Sequence, residues 1–228
     1  MSFDSEDPNF HYELVRSTPR SGLRDLETWL ELREEGRGVF SPVILDSRDN
    51  YFLQGEELAA LKSDLPKILA KSEGISVEEF FRSRRAQDKE LYEELEAGSW
   101  PSVPMELKPY LITQMEEVFI AKVPTSNSYE AVAYIGFGGW NDCPYDEEHV
   151  AILRYWHKRY GANLFAQGGD MLECTVDRPP TSQEAALSLA REHLTYALGT
   201  LGEFGRGNSV PELAAALLNS RHWLFWWD

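Results

Sequence analysis

Cysteine occurs only twice in the 228 residues, at Cys143 and Cys174. That is too few for a disulfide framework, and it makes a reducing cytoplasm the expected location. No apolar run approaches the roughly 18 residues that a membrane span needs. The opening Met1-Ser2-Phe3-Asp4-Ser5-Glu6-Asp7 has neither the basic region nor the apolar region of a secretory signal. Positive charge is also scarce, with 22 Lys+Arg against 38 Asp+Glu and a net charge of -16. The deficit is general: residues 1–114 hold 14 basic and 23 acidic side chains, and residues 115–228 hold 8 and 15. A nucleic-acid partner is therefore not expected, because phosphate binding needs a basic surface. The chain has no Cys-x-x-Cys, no Gly-Lys-Ser/Thr, no internal repeat and no low-complexity tract. No cofactor is expected.

What is present is a folding sequence, 43% hydrophobic and 12% aromatic. Residues 1–20 read as irregular. Ser21 is placed to cap a helix that runs through Leu23, Leu26, Trp29 and Leu30 and stops at Gly36. Val39–Leu45 reads as a strand, at a sheet edge because of Pro42, followed by a polar turn over Asp46–Asn50. A helix is expected from Glu56 to Leu61, with a new turn or helix opened by Pro66. Ser76 and Glu79 form a capping box that starts a helix carrying Phe80, Phe81, Leu91, Tyr92 and Leu95 to Gly98. The polar middle of that helix, Arg82–Glu90, reads as solvated. Trp100-Pro101-Ser102-Val103-Pro104 marks a boundary. It divides a mainly helical part with one short strand, residues 1–104, from an α+β domain, residues 105–228.

Within the second part, Glu117–Val123 and Ala131–Phe137 are expected to pair as a hairpin. A helix spans Asp146–Tyr160 and stops at Gly161. Strands are expected over Asn163–Ala166 and Met171–Val176. Thr181 and Glu184 box a helix to about Ala197, a glycine-containing loop covers Gly199–Asn208, and a short helix covers Pro211–Asn219. The strand Trp223–Trp227 is expected at the centre of the sheet, since its apolar residues face both ways. The expected class is α+β, an antiparallel or mixed C-terminal sheet packed with helices and preceded by a smaller helical part.

The most distinctive stretch is Gly138-Gly139-Trp140-Asn141-Asp142-Cys143-Pro144, a strand-to-helix turn of the kind that carries sites on rigid scaffolds. With Leu153–Ala162, Arg178-Pro179-Pro180 and the closing Phe225-Trp226-Trp227-Asp228, it resembles the bacterial family catalogued as an uncharacterised domain numbered 4253. The resemblance covers roughly Val118 to Asp228. It carries no catalytic residues over. Some members resemble small acidic proteins encoded beside toxins, which implies an immunity role.

The residues themselves offer several chemistries. Cys143 at a helix start, with His149 or His157 as base and Asp142 nearby, is a candidate nucleophile, although a buried hydrophobic thiol is the commoner role. Asp142, Cys143 and His149, with Cys174 or His193, lack the tight paired spacing of a structural zinc site, and no metal is expected. His149, Leu153, Trp156 and Tyr160 make one helical stripe and so a core face, with His149 bonding a carbonyl at its polar end. Asp170 and Glu173 fall on opposite strand faces, which disfavours paired acid–base work. Glycines 136, 138, 139, 168 and 169 fit close packing and turns better than phosphate loops. Arg178 is placed to pair with Asp228. The aromatic end of the chain is either core or a partner-binding patch.

The leading expectation is an acidic cytoplasmic binding protein of the immunity type, whose partner is a toxin with a basic surface. Its candidate contacts are Trp140, Asn141, Asp142, Trp156, Asp170, Glu173, Trp223, Trp226, Trp227 and Asp228, with the oligomeric state left open. The alternatives are a hydrolase using Cys143 and His149, or a small-ligand module in a cleft lined by Trp140, Asn141 and Trp156.

Overall fold

The computed structural model describes residues 13–16, 22–46, 56–103, 106–114, 118–201 and 207–228. The expected turn over residues 47–50, the cap at Ser21, residues 1–12 and 17–20 of the opening expected to be irregular, and most of the loop before Asn208 lie outside these residues; residues 13–16 of that opening form a strand instead. Six strands form one mixed sheet in the order β1-β3-β2-β4-β5-β6. They are β1 (Glu13–Arg16), β2 (Ser41–Asp46), β3 (Val118–Val123), β4 (Ala162–Gln167), β5 (Met171–Val176) and β6 (His222–Trp226). Only β2 and β4 pair in parallel; every other neighbour is antiparallel. The class is α+β. The sheet takes strands from both sides of the expected 104/105 boundary, because β2 lies between β3 and β4.

Helices cover both faces. On one face lie α2 (Glu56–Glu73), α3 (Val77–Gln87), α6 (Ala131–Ile135), α7 (Asp146–Tyr160), α8 (Gln183–Tyr196) and α9 (Val210–Leu217). Their apolar sides pack on Val43, Leu45, Ala121, Leu172, Cys174, Trp223 and Phe225. The other face carries Ile44, Ile120, Phe165, Met171 and Leu224 beneath α1 (Gly22–Glu35), with Trp29 and Leu32, and α5 (Leu111–Gln114). Strand alternation sorts the two sets of side chains. The exception is β4, where a register shift between Leu164 and Ala166 lets Phe165 and Ala166 share a face.

Several expectations are corrected. β2 is an interior strand. Pro42 supplies its carbonyl to Trp29 Nε1 at 2.9 Å and is tolerated inside the sheet. α2 is one helix that runs through Pro66, whose exposed position leaves the carbonyl it cannot bond to water. The helix after Ser76 breaks at Asp88, which ends α3 and caps α4 (Lys89–Leu95) by accepting from Leu91 N–H at 3.2 Å. Residues 131–135 are helical, so no hairpin joins them to β3, whose partners are β1 and β2. A five-residue apolar run carries no period that separates strand from helix. Ser182, rather than Thr181, caps α8.

β6 is an edge strand, not a central one. It is still enclosed on both faces, and its free edge is closed by Thr200, whose hydroxyl accepts Trp226 N–H at 2.9 Å.

Candidate functional site

Gly138 and Gly139 have φ of +99° and +81°, and Asn141 has φ of +45°, so the chain reverses sharply before α7. A Cβ on Gly138 would lie 2.0 Å from the Pro144 carbonyl oxygen and 2.7 Å from His149 Nε2. Only glycine fits between the turn and the histidine ring. Gly139 N–H closes the loop on Pro144 O at 2.9 Å, and Asn141 Nδ2 donates to the main-chain oxygen of Asp228 at 2.6 Å. The turn and the last residue of β6's extension are thereby held together.

This turn forms one wall of a cleft of about 720 Å³. Asn141, Asp142, Cys143, Tyr145 and Glu148 line it from one side, and Thr195, Tyr196, Trp227 and Asp228 close its back. The opposite wall is α3 and α4, through Phe80, Arg84, Asp88, Leu91 and Tyr92. That wall is anchored. Phe81 stacks on Trp156 with ring centroids 6.2 Å apart, and Arg191 grips Glu96 through two bonds of 2.6 and 2.8 Å.

At the floor, Cys143 Sγ lies 3.5 Å from His149 Nε2, and His149 Nδ1 lies 2.5 Å from the Tyr196 hydroxyl. His149 thus meets a thiol and a phenol besides the carbonyl expected of it, that of Pro144. All three groups are uncharged near neutrality. Burial pushes the Cys143 thiol far above its ordinary value and raises the Tyr196 phenol well above its own. Burial, with the Arg84 charge adding to it, holds the His149 imidazole down to about 3. The helix dipole at the start of α7 does not overcome the lost solvation of the thiol.

The low imidazole value has a consequence for stability. His149 stays neutral in the fold while an unfolded chain takes up a proton below about 6.5, so stability falls as pH drops from there towards about 3. Asp146 acts in the opposite sense. Its carboxyl, raised by burial to about 6 from 3.8, keeps a proton in the fold that the unfolded chain has released, so it adds stability as pH falls through that window. His149→Gln removes only the first effect. Its urea midpoint should fall less than that of the wild type between about pH 7 and about pH 4; equal falls would contradict a neutral buried imidazole.

The structure distributes the other candidates widely. Trp140 is half-buried beside the cleft, edge-on to Phe137 at 5.0 Å. Trp156 and Trp223 are wholly enclosed. Trp156 lies parallel to Phe225 at 5.2 Å and donates Nε1–H to Glu192 at 2.8 Å. On the other face of the sheet, Trp226 Nε1 donates to Asp170 at 2.8 Å. Glu173 is fully buried, accepts the N–H groups of Tyr110 and Leu111, and lies 2.5 Å from His222. Arg178 donates to the carbonyls of His157 and Lys158 at the end of α7, so it is a helix cap and not the partner of Asp228.

Arg84, Tyr92 and Tyr196 carry no mark in the sequence. Arg84 looks solvated on a polar helix, and Tyr196 reaches His149 across 47 residues of chain. Among the described residues no group of three His, Cys, Asp or Glu side chains could hold a metal ion, and no helix is long and apolar enough to cross a membrane.

The fold and cleft define an α+β domain whose signature turn, central helix and last strand meet at one concavity. Residues 119–228 match the family described as Domain of unknown function (DUF4253), and this stretch of the chain is similar to that domain. No match was found among curated proteins or solved structures. The matched stretch begins inside β3, so β1, β2 and the α3–α4 wall of the cleft come from outside it.

Proposed function

We propose that this chain is an acidic cytoplasmic binding protein of the immunity type, and that the cleft is where it holds a basic element of a protein toxin. One observation carries the reading: the cleft walls present Asp88, Asp142, Glu148 and Asp228 against a single guanidinium, that of Arg84. Asp142 and Asp228 are exposed at the rim. A cationic loop entering there would meet carboxylates on both walls, with Tyr92 and Trp227 supplying aromatic contact. The net charge of -16 adds long-range attraction and favours fast capture.

A second reading, a small cationic ligand, is supported by the cleft's volume of about 720 Å³. That lies within the usual range of small-molecule sites, roughly 300–1,000 Å³.

Co-expression with the product of the neighbouring gene, followed by co-purification and a growth-rescue assay, tests the first reading. Rescue with a salt-sensitive complex is expected. Asp142→Lys combined with Asp228→Lys should weaken that complex about 10–100-fold at low salt. Absence of a complex, or one indifferent to this double change, would contradict the reading.

A further inference from the structure

The floor of the cleft holds more chemistry than a binding surface requires. Cys143, 4% exposed, lines the cleft. Behind it the contacts run in series, Sγ to His149 Nε2 at 3.5 Å and His149 Nδ1 to the Tyr196 hydroxyl at 2.5 Å. In the tautomer that carries its proton on Nδ1, directed to the phenol oxygen, the Nε2 lone pair faces the thiol beside the Pro144 carbonyl. A nucleophile, a base and a group that orients the base therefore lie in sequence.

Arg84 completes the set from the opposite wall. Its guanidinium packs over the Phe80 ring at 4.9 Å and makes no ion pair among the described residues. Its charge reaches Cys143, His149 and Tyr196. A half-buried guanidinium that lines the same cleft as the thiol is placed to meet negative charge that develops at the sulfur's target.

We propose that the cleft floor is a covalent acyl-transfer site, in which Cys143 attacks the carbonyl of an ester or amide that carries a cationic group. His149 is the base, Arg84 the stabiliser of the oxyanion, and Tyr196 a positioning residue. As the sulfur–carbon bond forms, the thiol proton passes to His149 Nε2 and the carbonyl electron pair moves to oxygen beside Arg84. Collapse of that intermediate breaks the bond to the leaving alcohol or amine, which takes the proton from His149. Water, deprotonated by His149, then cleaves the thioester, releasing the acid and restoring the thiol. The preference for a cationic substrate rests on the reading of the cleft as a cation site, whereas the relay does not.

Burial keeps both thiol and imidazole neutral. Attack is thus coupled to proton transfer, and its rate does not follow the amount of free thiolate.

The test treats the full-length protein with 4-nitrophenyl acetate and locates the acetyl group by mass spectrometry. Acetylation on Cys143 is expected, absent in Cys143→Ala, at a rate nearly flat from about pH 5 to about pH 8. Arg84→Gln should slow it about 100-fold. Tyr196→Phe should slow it about 10-fold or more and bring back pH dependence. A folded wild-type protein that leaves Cys143 unmodified would overturn the proposal. So would a rate that rises about tenfold per pH unit and ignores Arg84→Gln, the behaviour of a merely accessible thiol. Comparing benzoyl-arginine ethyl ester with benzoyl-glycine ethyl ester addresses the cationic group. A rate at least about tenfold higher for the arginine ester supports it, and equal rates with acetylation intact would overturn the cation preference while leaving the relay standing.

Discussion

Trp156→Ala should lower the unfolding free energy by about 3–5 kcal/mol, the range for deleting a large aromatic from a packed core. Trp156 is 0% exposed and sits at the junction of three helices and the sheet. Its ring lies parallel to Phe225 and edge-on to Tyr196 and Trp223, while Phe81 stacks on it from α3. The change opens a cavity too rigidly bounded to collapse and also removes a donor from Glu192. That carboxylate keeps Tyr155 and Arg159, at 3.0 Å each, so it is weakened rather than stranded. Trp156→Phe retains most of the packing and should lose only about 1–2 kcal/mol through the missing hydrogen bond. Urea unfolding followed by circular dichroism measures both. A loss below about 1 kcal/mol for the alanine variant would contradict the packing described. Phe81 ties the cleft wall to this ring, so the alanine variant should also loosen the cleft.

Glu173→Ala should be comparably damaging, at about 3–5 kcal/mol, by a different mechanism. Its carboxylate, 0% exposed, accepts Leu111 N–H at 2.6 Å and Tyr110 N–H at 3.0 Å and stands 2.5 Å from His222 Nε2. The histidine nitrogen is not aligned as a hydrogen-bond donor to the carboxylate. Alanine would remove this acceptor from the buried Leu111 N–H and the part-buried Tyr110 N–H and leave His222 beside an empty space. Glu173→Gln keeps an acceptor in place and should cost less, about 1–3 kcal/mol. Because Glu173 holds α5 against the sheet, the alanine variant should also be cut faster by protease within residues 106–114. Unchanged cleavage and a loss below about 1 kcal/mol would contradict this role. Glu173 therefore belongs to the framework and offers no surface to a partner.

The sequence made much of the C-terminal half legible. The stripe of His149, Leu153, Trp156 and Tyr160 marks the buried side of α7, and Gly161 ends that helix with φ of +63°. The β4–β5 pair follows from two apolar runs across a glycine turn. Pro42 lacks a donor and so marks the six-residue β2 as an edge strand, yet strand order is set by long-range packing that no local pattern records. The signature turn marked one wall of the cleft through Asn141, Asp142 and Cys143. The other wall stayed hidden because a polar helix face lining a water-filled cleft has the same pattern as one facing bulk solvent. Arg84 and Asp88 lie on such a face. Tyr196 was hidden for the opposite reason, since a lone tyrosine in an apolar helix reads as core, and this one is core that also forms the cleft's floor.

The proposed site is the cleft between α3–α4 and the Gly138–Pro144 turn. Hydrogen exchange of the chain alone and with the neighbouring gene's product tests it most directly. The account predicts new protection on both walls, over residues 84–92 and 139–145, with none added around Arg33 and Asp177 on the far side of the molecule. Protection confined to that far side, with both cleft walls exchanging as before, would contradict it.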